Sequence, residues 1–326
     1  MAREIPYIQA LGEAVHQEMA RDASVIYFGQ NLGLTDEDPY VQAFGNDRVR
    51  VTPISETAEI GIAVGAAFAG FRPVVQLYMS EFMLVAMDQV VNEAPRFYGM
   101  SGGTVKVPLV LQAGYGFTAG WAGQHTGTLS ALFMGVPGLK VAVPSTAADA
   151  KGLMATAIRD DNPVVYLHHY LLTLDHGEVP DGEYLVPFGE ASVRREGSDV
   201  TIVGTGWTVD RALGAAERLA GEGIQAEVID PRTIAPLDLH TILESVDKTG
   251  HLVLVDQATR HASVSTVIAG EVAEHGFGSL KAPIVQVTGL DATIPYSEPL
   301  EAYVLPDDDK VVAAVQRVLG TAPVTA

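Results

Sequence analysis

Two short segments carry residue types that move protons. In Thr52-Pro53-Ile54-Ser55-Glu56 a carboxylate opens a stretch rich in alanine and glycine with helical spacing. One reading of Glu56 is structural: an acid in a first helical turn satisfies free amides and complements the dipole. The other is chemical. Open α/β sheets place ligands beside the carboxyl ends of their strands, and a carboxylate held there can share a proton with a heterocyclic nitrogen. The second segment, Gly120-Trp121-Ala122-Gly123-Gln124-His125-Thr126-Gly127, sets one histidine in a loop with three glycines. Ordering such a loop is entropically costly unless backbone must approach something closely. His125 is either a proton carrier near neutral pH or a surface histidine in a mobile loop.

Two further patterns are weaker. Gly204-Thr205-Gly206-Trp207-Thr208-Val209 follows a strand-like run, and Asp230 comes 24 residues after Gly206, as in a dinucleotide fingerprint. The third glycine is missing, because Val209 stands where the helix should pack closest. His168, His169, Asp175 and His176 cluster in sequence, but adjacent strand residues point to opposite faces, so they read as a strand-end histidine pair rather than a metal site. There is no GxxxxGK[ST], no GxSxG, and no Gly-Asp-Gly followed by paired asparagines, the pattern that holds Mg²⁺ and a diphosphate.

The elements that must position these residues alternate. Tyr7–Ala20 has helical spacing, and Ser24–Gly29 reads as a buried strand. A short strand is expected at Val49–Thr52, a helix at Glu56–Gly70, and strands at Pro73–Tyr78, Pro108–Gly114, Lys140–Pro144 and Pro163–His168, with helices at Glu81–Glu93 and Thr146–Arg159. Asp175–Phe188, rich in proline, glycine and acids, reads as an interdomain linker. Beyond it, strands are expected at Val200–Gly204, Ala226–Asp230, Leu252–Asp256 and Ile284–Thr288, and helices at Val209–Ala220, His240–Val246 and Ser263–His275. The pattern predicts an α/β chain of two domains, 1–180 and 181–326, with mainly parallel sheets and helices on both faces.

Composition narrows the function classes. Forty acidic against twenty basic residues leave a formal charge of −20, a field that repels phosphate backbones and anionic lipid. No nucleic-acid or membrane role is expected. The absence of cysteine excludes disulfides, thiolate metal sites and a cysteine nucleophile, and fits a cytoplasmic protein. The N-terminal stretch has no apolar signal core, and the longest apolar run, Ile60–Phe71, is too short to span a bilayer.

In order along the chain, TPISETAEIGIAVGAAFAGFRPV (52–74), EFMLVAMDQVVNEAPRFYGMSGG (81–103), GWAGQHTGTLSALF (120–133), PGLKVAVPSTAADAKGLMATAIRDDNPVV (137–165), EVIDPRTIAPLD (227–238) and TGLDATIPY (288–296) resemble the beta subunits of thiamine-diphosphate-dependent 2-oxo acid dehydrogenases of the pyruvate and branched-chain types. The resemblance implies a pyrimidine-binding domain followed by a transketolase C-terminal domain. It also implies an alpha-type partner, in an alpha2beta2 assembly, that holds Mg²⁺ and the diphosphate while this chain holds the aminopyrimidine. By the same resemblance, Glu56 hydrogen-bonds the pyrimidine ring nitrogen, Phe82 stacks on the ring, Ile54 lines the pocket and His125 handles protons near the substrate. Leu109, Ala157, Asp160 and Asn162 match a structural potassium site.

The sequence also departs from the family. Where the family usually carries Gly-Glu-Asp or Gly-Glu-Glu after the first strand, this chain has Gly29-Gln30-Asn31, neutral amides of similar shape near the cofactor. The loop from Gln30 to Glu56 is shorter than the family's, and Gly320–Ala326 extends into a region some relatives use to dock a lipoyl acyltransferase. The resemblance implies decarboxylation of a 2-oxo acid and acyl transfer to a lipoyl arm. The alternative is acyl or ketol transfer to a carbonyl acceptor, transketolase-like or acyloin-forming, without a lipoyl protein. A third reading, a non-catalytic or NAD-binding chain, rests on Gly204–Asp230 alone.

Overall fold

The computed structural model describes residues 2–30, 32, 35, 37–116 and 120–321. Asn31 and residues 322–326 of the C-terminal tail lie outside the described residues. The chain divides into two compact units: 2–116 with 132–188, and 120–131 with 189–321.

The first unit contains β1 (Ala2–Pro6), α1 (Tyr7–Arg21), β2 (Val25–Gly29), α2 (Pro39–Phe44), β3 (Val49–Val51), α3 (Glu56–Phe68), β4 (Arg72–Met79), α4 (Ala94–Met100), β5 (Val110–Tyr115), α5 (Ser130–Met134, which begins in the 120–131 segment), β6 (Lys140–Ala142), α6 (Ala147–Arg159), β7 (Val164–His169) and β8 (His176–Pro180). Its strands run β6-β7-β5-β4-β2-β3, all parallel. Strands covered on both faces are largely apolar, and β5 is buried at every position and β7 at all but His168, with Gln112 and His169 among the buried residues.

Helix α1 begins after Pro6, whose fixed φ suits the first turn. Tyr7, Leu11, Ala14, Val15 and Met19 recur at three- and four-residue spacing and are buried. Its face meets α6, where the Arg159 guanidinium grips Glu18 through Nε (3.0 Å) and Nη2 (2.7 Å). Glu18 is only 3% exposed, so this two-pronged bond offsets the cost of taking a carboxylate out of water.

Two regions differ from the sequence expectation. The expected helix over 81–93 is a 3₁₀ segment (Ser80–Ala86) followed by a π-helical turn (Asp88–Glu93), and α4 continues from there. Apolar spacing reports which residues face inward, and it cannot distinguish these tighter and wider turns from an α-helix. Within the expected linker 175–188, β8 pairs antiparallel with β1, with Ile5 opposite Gly177. Glycine, proline and charge are tolerated in so short a pair because it has no central position in a sheet.

The second unit holds β9 (Ser192–Arg195), β10 (Val200–Gly204), α7 (Thr208–Gly221), β11 (Ala226–Asp230), β12 (Thr233–Ala235), α8 (Leu239–Thr249), β13 (Leu252–Thr259), α9 (Val264–His275), β14 (Val285–Gly289), α10 (Glu298–Val304) and α11 (Asp308–Val318). A five-stranded sheet runs β14-β13-β10-β11-β9, with only β9 antiparallel. Along β10 the side chains alternate. Val200 and Ile202 join the cluster with Leu219 of α7 and Val315 of α11. Thr201 turns the other way and bonds Ser245 (2.7 Å) and Thr249 (2.8 Å) of α8. This period of two puts helices on both faces.

Candidate active site

The carboxyl edge of the first unit's sheet is built around a close approach. At Gly29 a Cβ would lie 2.2 Å from the Gln76 carbonyl oxygen, so only glycine lets β2 and β4 end together there. The Gln30 amide N–H then donates to that carbonyl (3.4 Å), and Thr52 N–H donates to the Gly29 carbonyl (2.9 Å), drawing the segment before α3 onto the same edge.

The first turn of α3 presents two carboxylates to the interior. Glu56 is 7% exposed and Glu59 2%. Gln30 Nε2 donates to Glu56 Oε1 at 3.0 Å and lies 3.3 Å from both Glu59 oxygens. The capping bond that an acid here would make falls to Glu59, which accepts from the Ser55 amide at 3.2 Å. Glu56 accepts from none of the helix's first amides among the described residues, while its place in the first turn still complements the dipole. Glu59 itself escaped sequence reasoning. Its signal is the spacing, since residues three apart on a helix share a face.

Of the other cofactor-binding residues expected in this unit, Ile54 directly precedes that turn and Phe82 lies on a segment bonded to it. Thr57 Oγ1 donates to the Val85 carbonyl (3.0 Å), tying α3 to the 3₁₀ segment that carries the half-buried Phe82. Ile54 is 80% exposed. Thr52 Oγ1 and Gln89 Oε1 are buried with no partner among the described residues. A buried carboxylate with apolar side chains on neighbouring turns suits a flat heterocycle carrying basic nitrogens, so these residues fit an aminopyrimidine.

His125 belongs to the second unit. Its ring meets Trp121 edge-on at 5.7 Å, and its amide donates to the Ala122 carbonyl at 3.2 Å. The glycines around it are required: Gly120 has φ of 86°, and a Cβ on Gly123 would meet Thr293 Cγ2 at 1.8 Å. A cavity of about 460 Å³ lies beside this loop, lined by Gly123, Thr126, Thr128, Gln257, Asp291 and Thr293.

Ala157, Asp160 and Asn162 form one turn at the end of α6. Asp160 N–H donates to the Ala157 carbonyl (3.2 Å), and Asp160 Oδ1 accepts from Asn162 N and Nδ2, both at 2.9 Å. The other Asp160 oxygen pairs with Lys140. The Leu109 carbonyl accepts from Val164 N–H at 2.8 Å. Among the described residues no group of three histidines, cysteines or acids is placed to hold a metal. His169 Nδ1 accepts from the Leu171 amide, while burial holds the His168 pKa at about 4. In the Gly204 segment, Thr208 Oγ1 donates to the Val255 carbonyl, and the fully buried Asp230 accepts from Arg232 N–H at 2.8 Å. That acid is engaged by the fold itself. Among the described residues no helix is long and apolar enough to cross a membrane.

Comparison with known proteins agrees with this architecture. Residues 3–172 match the family described as "Transketolase, pyrimidine binding domain" and 189–311 match "Transketolase, C-terminal domain". The chain is 44% identical to the acetoin:2,6-dichlorophenolindophenol oxidoreductase subunit beta of Cupriavidus necator, covering 98% of each chain. It is 42% identical to the pyruvate dehydrogenase E1 component subunit beta of Rickettsia conorii (97% and 98% covered) and 38% identical to the 2-oxoisovalerate dehydrogenase subunit beta of Bacillus subtilis (95% and 97%). Among solved structures, a split-gene transketolase described as an inactive beta4 tetramer superposes with a TM-score of 0.81 at 25% identity, covering 98% and 99%. The chain belongs to the beta-subunit family of thiamine-diphosphate-dependent 2-oxo acid and acetoin dehydrogenases, enzymes built from transketolase-type pyrimidine-binding and C-terminal domains.

Proposed function

We propose that this chain, joined to an alpha-type chain, forms a dehydrogenase that decarboxylates a short 2-oxo acid and passes the acyl group to a lipoyl arm. The observation that carries the reading is Glu56, a buried carboxylate held by a neutral amide at the carboxyl edge of a pyrimidine-binding domain. Thiamine diphosphate, when bound, would supply a nucleophilic carbon and an electron sink for decarboxylation. Glu56 shares a proton with the ring nitrogen of the aminopyrimidine through a carboxylate oxygen. Ile54 and Phe82 exclude water from the ring's faces. His125 binds the substrate carboxylate and carries protons at an imidazole nitrogen.

The diphosphate and Mg²⁺ fall to the alpha chain, in an alpha2beta2 assembly. The outward face of α3 supports a partner there: Ile62 and Phe68 are 63% and 44% exposed, and nothing stands within 4 Å of a Cβ on Gly65. Potassium at Leu109, Ala157, Asp160 and Asn162 belongs to the same proposal. A carbonyl has two lone pairs, so one donor leaves it free to coordinate, and K⁺ in place of Na⁺ should raise the melting temperature. A cysteine-free chain suits a reducing compartment, and we place the complex in the cytoplasm.

A second reading keeps the site and changes the substrate. The relatives from C. necator and B. subtilis at 44% and 39% identity are named for acetoin, which favours an acyloin as the molecule cleaved or formed. One experiment separates the two. The chain is co-expressed with its alpha partner, and dye reduction is measured with pyruvate, a branched 2-oxo acid and acetoin, with and without lipoyl domain. Turnover of a 2-oxo acid with acyl-lipoyl formation supports the first reading; turnover of acetoin alone supports the second. A carbon–carbon bonded product without lipoyl protein indicates transfer to a carbonyl acceptor, and inactivity with every substrate overturns the proposal.

A further inference from the structure

Three residues in the candidate site share one bonding arrangement that the proposed roles leave unused. Glu56 and Glu59 are both nearly excluded from water, three residues apart on one helical face, and no salt bridge reaches either among the described residues. Two buried carboxylates without a cation repel each other strongly. What stands between them is Gln30. Its amide has two N–H bonds: one serves Glu56 Oε1 at 3.0 Å, and the other is shared by Glu59 Oε1 and Oε2 at 3.3 Å each. The reverse amide orientation would aim its oxygen at two carboxylates, so the chemistry fixes which way Gln30 points. Glu59 is held in turn by the Ser55 amide at the start of α3. Oε2 of Glu56 has no hydrogen bond among the described residues, and Glu56 keeps 7% of its surface exposed, so one oxygen of this carboxylate is committed and the other is left open.

We propose that Glu59 is a positioning residue for Glu56, acting through Gln30: it locks the amide, and the locked amide fixes the carboxylate that meets the aminopyrimidine. The inference rests on the reading of Glu56 given above. It makes position 30 conditional on position 59. A carboxylate at 30 would gather three acids around one point, whereas moving the amide to 59 and the acid to 30 keeps two acids and one amide.

The test is a swap in the enzyme assembled with its alpha chain: Gln30→Glu, Glu59→Gln and the double variant, with Glu56→Gln alongside. Measured quantities are kcat, its pH profile, and the dissociation constant of thiamine diphosphate by fluorescence titration across pH. Each single change should lower kcat ~10-fold and shift the pH profile, and the double variant should recover to within ~3-fold of wild type, a coupling expected only of groups in one network. Cofactor affinity should follow the same pattern. Glu59→Asp, too short to hold the amide, should resemble Glu59→Gln and covers the case in which that variant misfolds. A double variant whose loss is the product of the single losses overturns the inference, as does a Glu59→Gln enzyme with an unchanged pH profile and cofactor affinity. If Glu56→Gln suppresses turnover while the swap shows no coupling, only the inference fails. If Glu56→Gln is itself fully active, the active-site reading falls and the inference with it.

Discussion

Lowering the pH should destabilise the first unit through His168 before its carboxylates titrate. This half-buried residue lies near the end of β7, opposite Gly114 of β5, and its Nδ1 is buried with no partner among the described residues. Burial lowers its pKa from 6.5 to about 4. The folded pKa is the lower of the two. As pH falls below 6.5 the unfolded chain therefore takes up a proton that the folded chain refuses, and stability is lost until the folded imidazole titrates near 4. The difference between 6.5 and about 4 sets an upper bound of ~3 kcal/mol, and because His168 is only half-buried a loss of ~1 kcal/mol should be reached by about pH 5. Urea denaturation of wild type and His168→Leu at a series of pH values isolates the effect, because contributions common to both cancel. The gap between the two curves should widen steadily from pH 7 to pH 4.5 in favour of the leucine variant. Parallel curves would refute the claim that its surroundings hold His168 in the neutral form.

Other substitutions probe the frame around the site. Arg159→Met removes the two-pronged partner of the Glu18 carboxylate and leaves Arg21 Nε, at 2.7 Å, as its remaining cation, so it should cost ~1–2 kcal/mol in urea denaturation. Gly29→Ala drives a methyl group into the Gln76 carbonyl; it should cost ~2 kcal/mol or more, and weaken cofactor binding because Gln30 moves with it. Gly123→Ala should lower stability and activity together through its clash with the Thr293 methyl, and Thr293→Ser, which deletes that methyl, should restore much of both.

Elements with a full set of apolar positions were legible in the sequence. The strands 200–204 and 226–230 fall where expected, because each lies inside a sheet covered on both faces and is rich in β-branched apolar residues between turn signals, although Thr201, Glu227 and Asp230 are buried among them. Helix α6 also starts as expected, with Thr146 accepting from the Asp149 amide. β1 and β8 escaped notice because neither has the apolar alternation of a half-buried strand; their pairing is made by backbone. Helices α10 and α11 were missed too, although Val311 and Val315 of α11 help close the second core. Within the candidate site, the segment singled out Glu56, which the structure buries beside Gln30. The partnership of Gln30 with Glu59 was not, because it joins residues 29 positions apart through a side-chain amide. Substituting an amide for the acid usual at position 30 looked like a loss of charge. With Glu59 in view, a buried acid is found on the helix instead.

The central claim is that this chain supplies the carboxylate that activates thiamine diphosphate. The direct measurement is turnover of the alpha–beta complex carrying Glu56→Gln at saturating cofactor. The amide's Oε1 can still accept from Gln30, so the fold should be retained and the melting temperature should stay close to wild type. Turnover should fall by roughly two to four orders of magnitude, because the amide cannot share the proton. A folded Glu56→Gln complex that turns over at the wild-type rate would contradict the account.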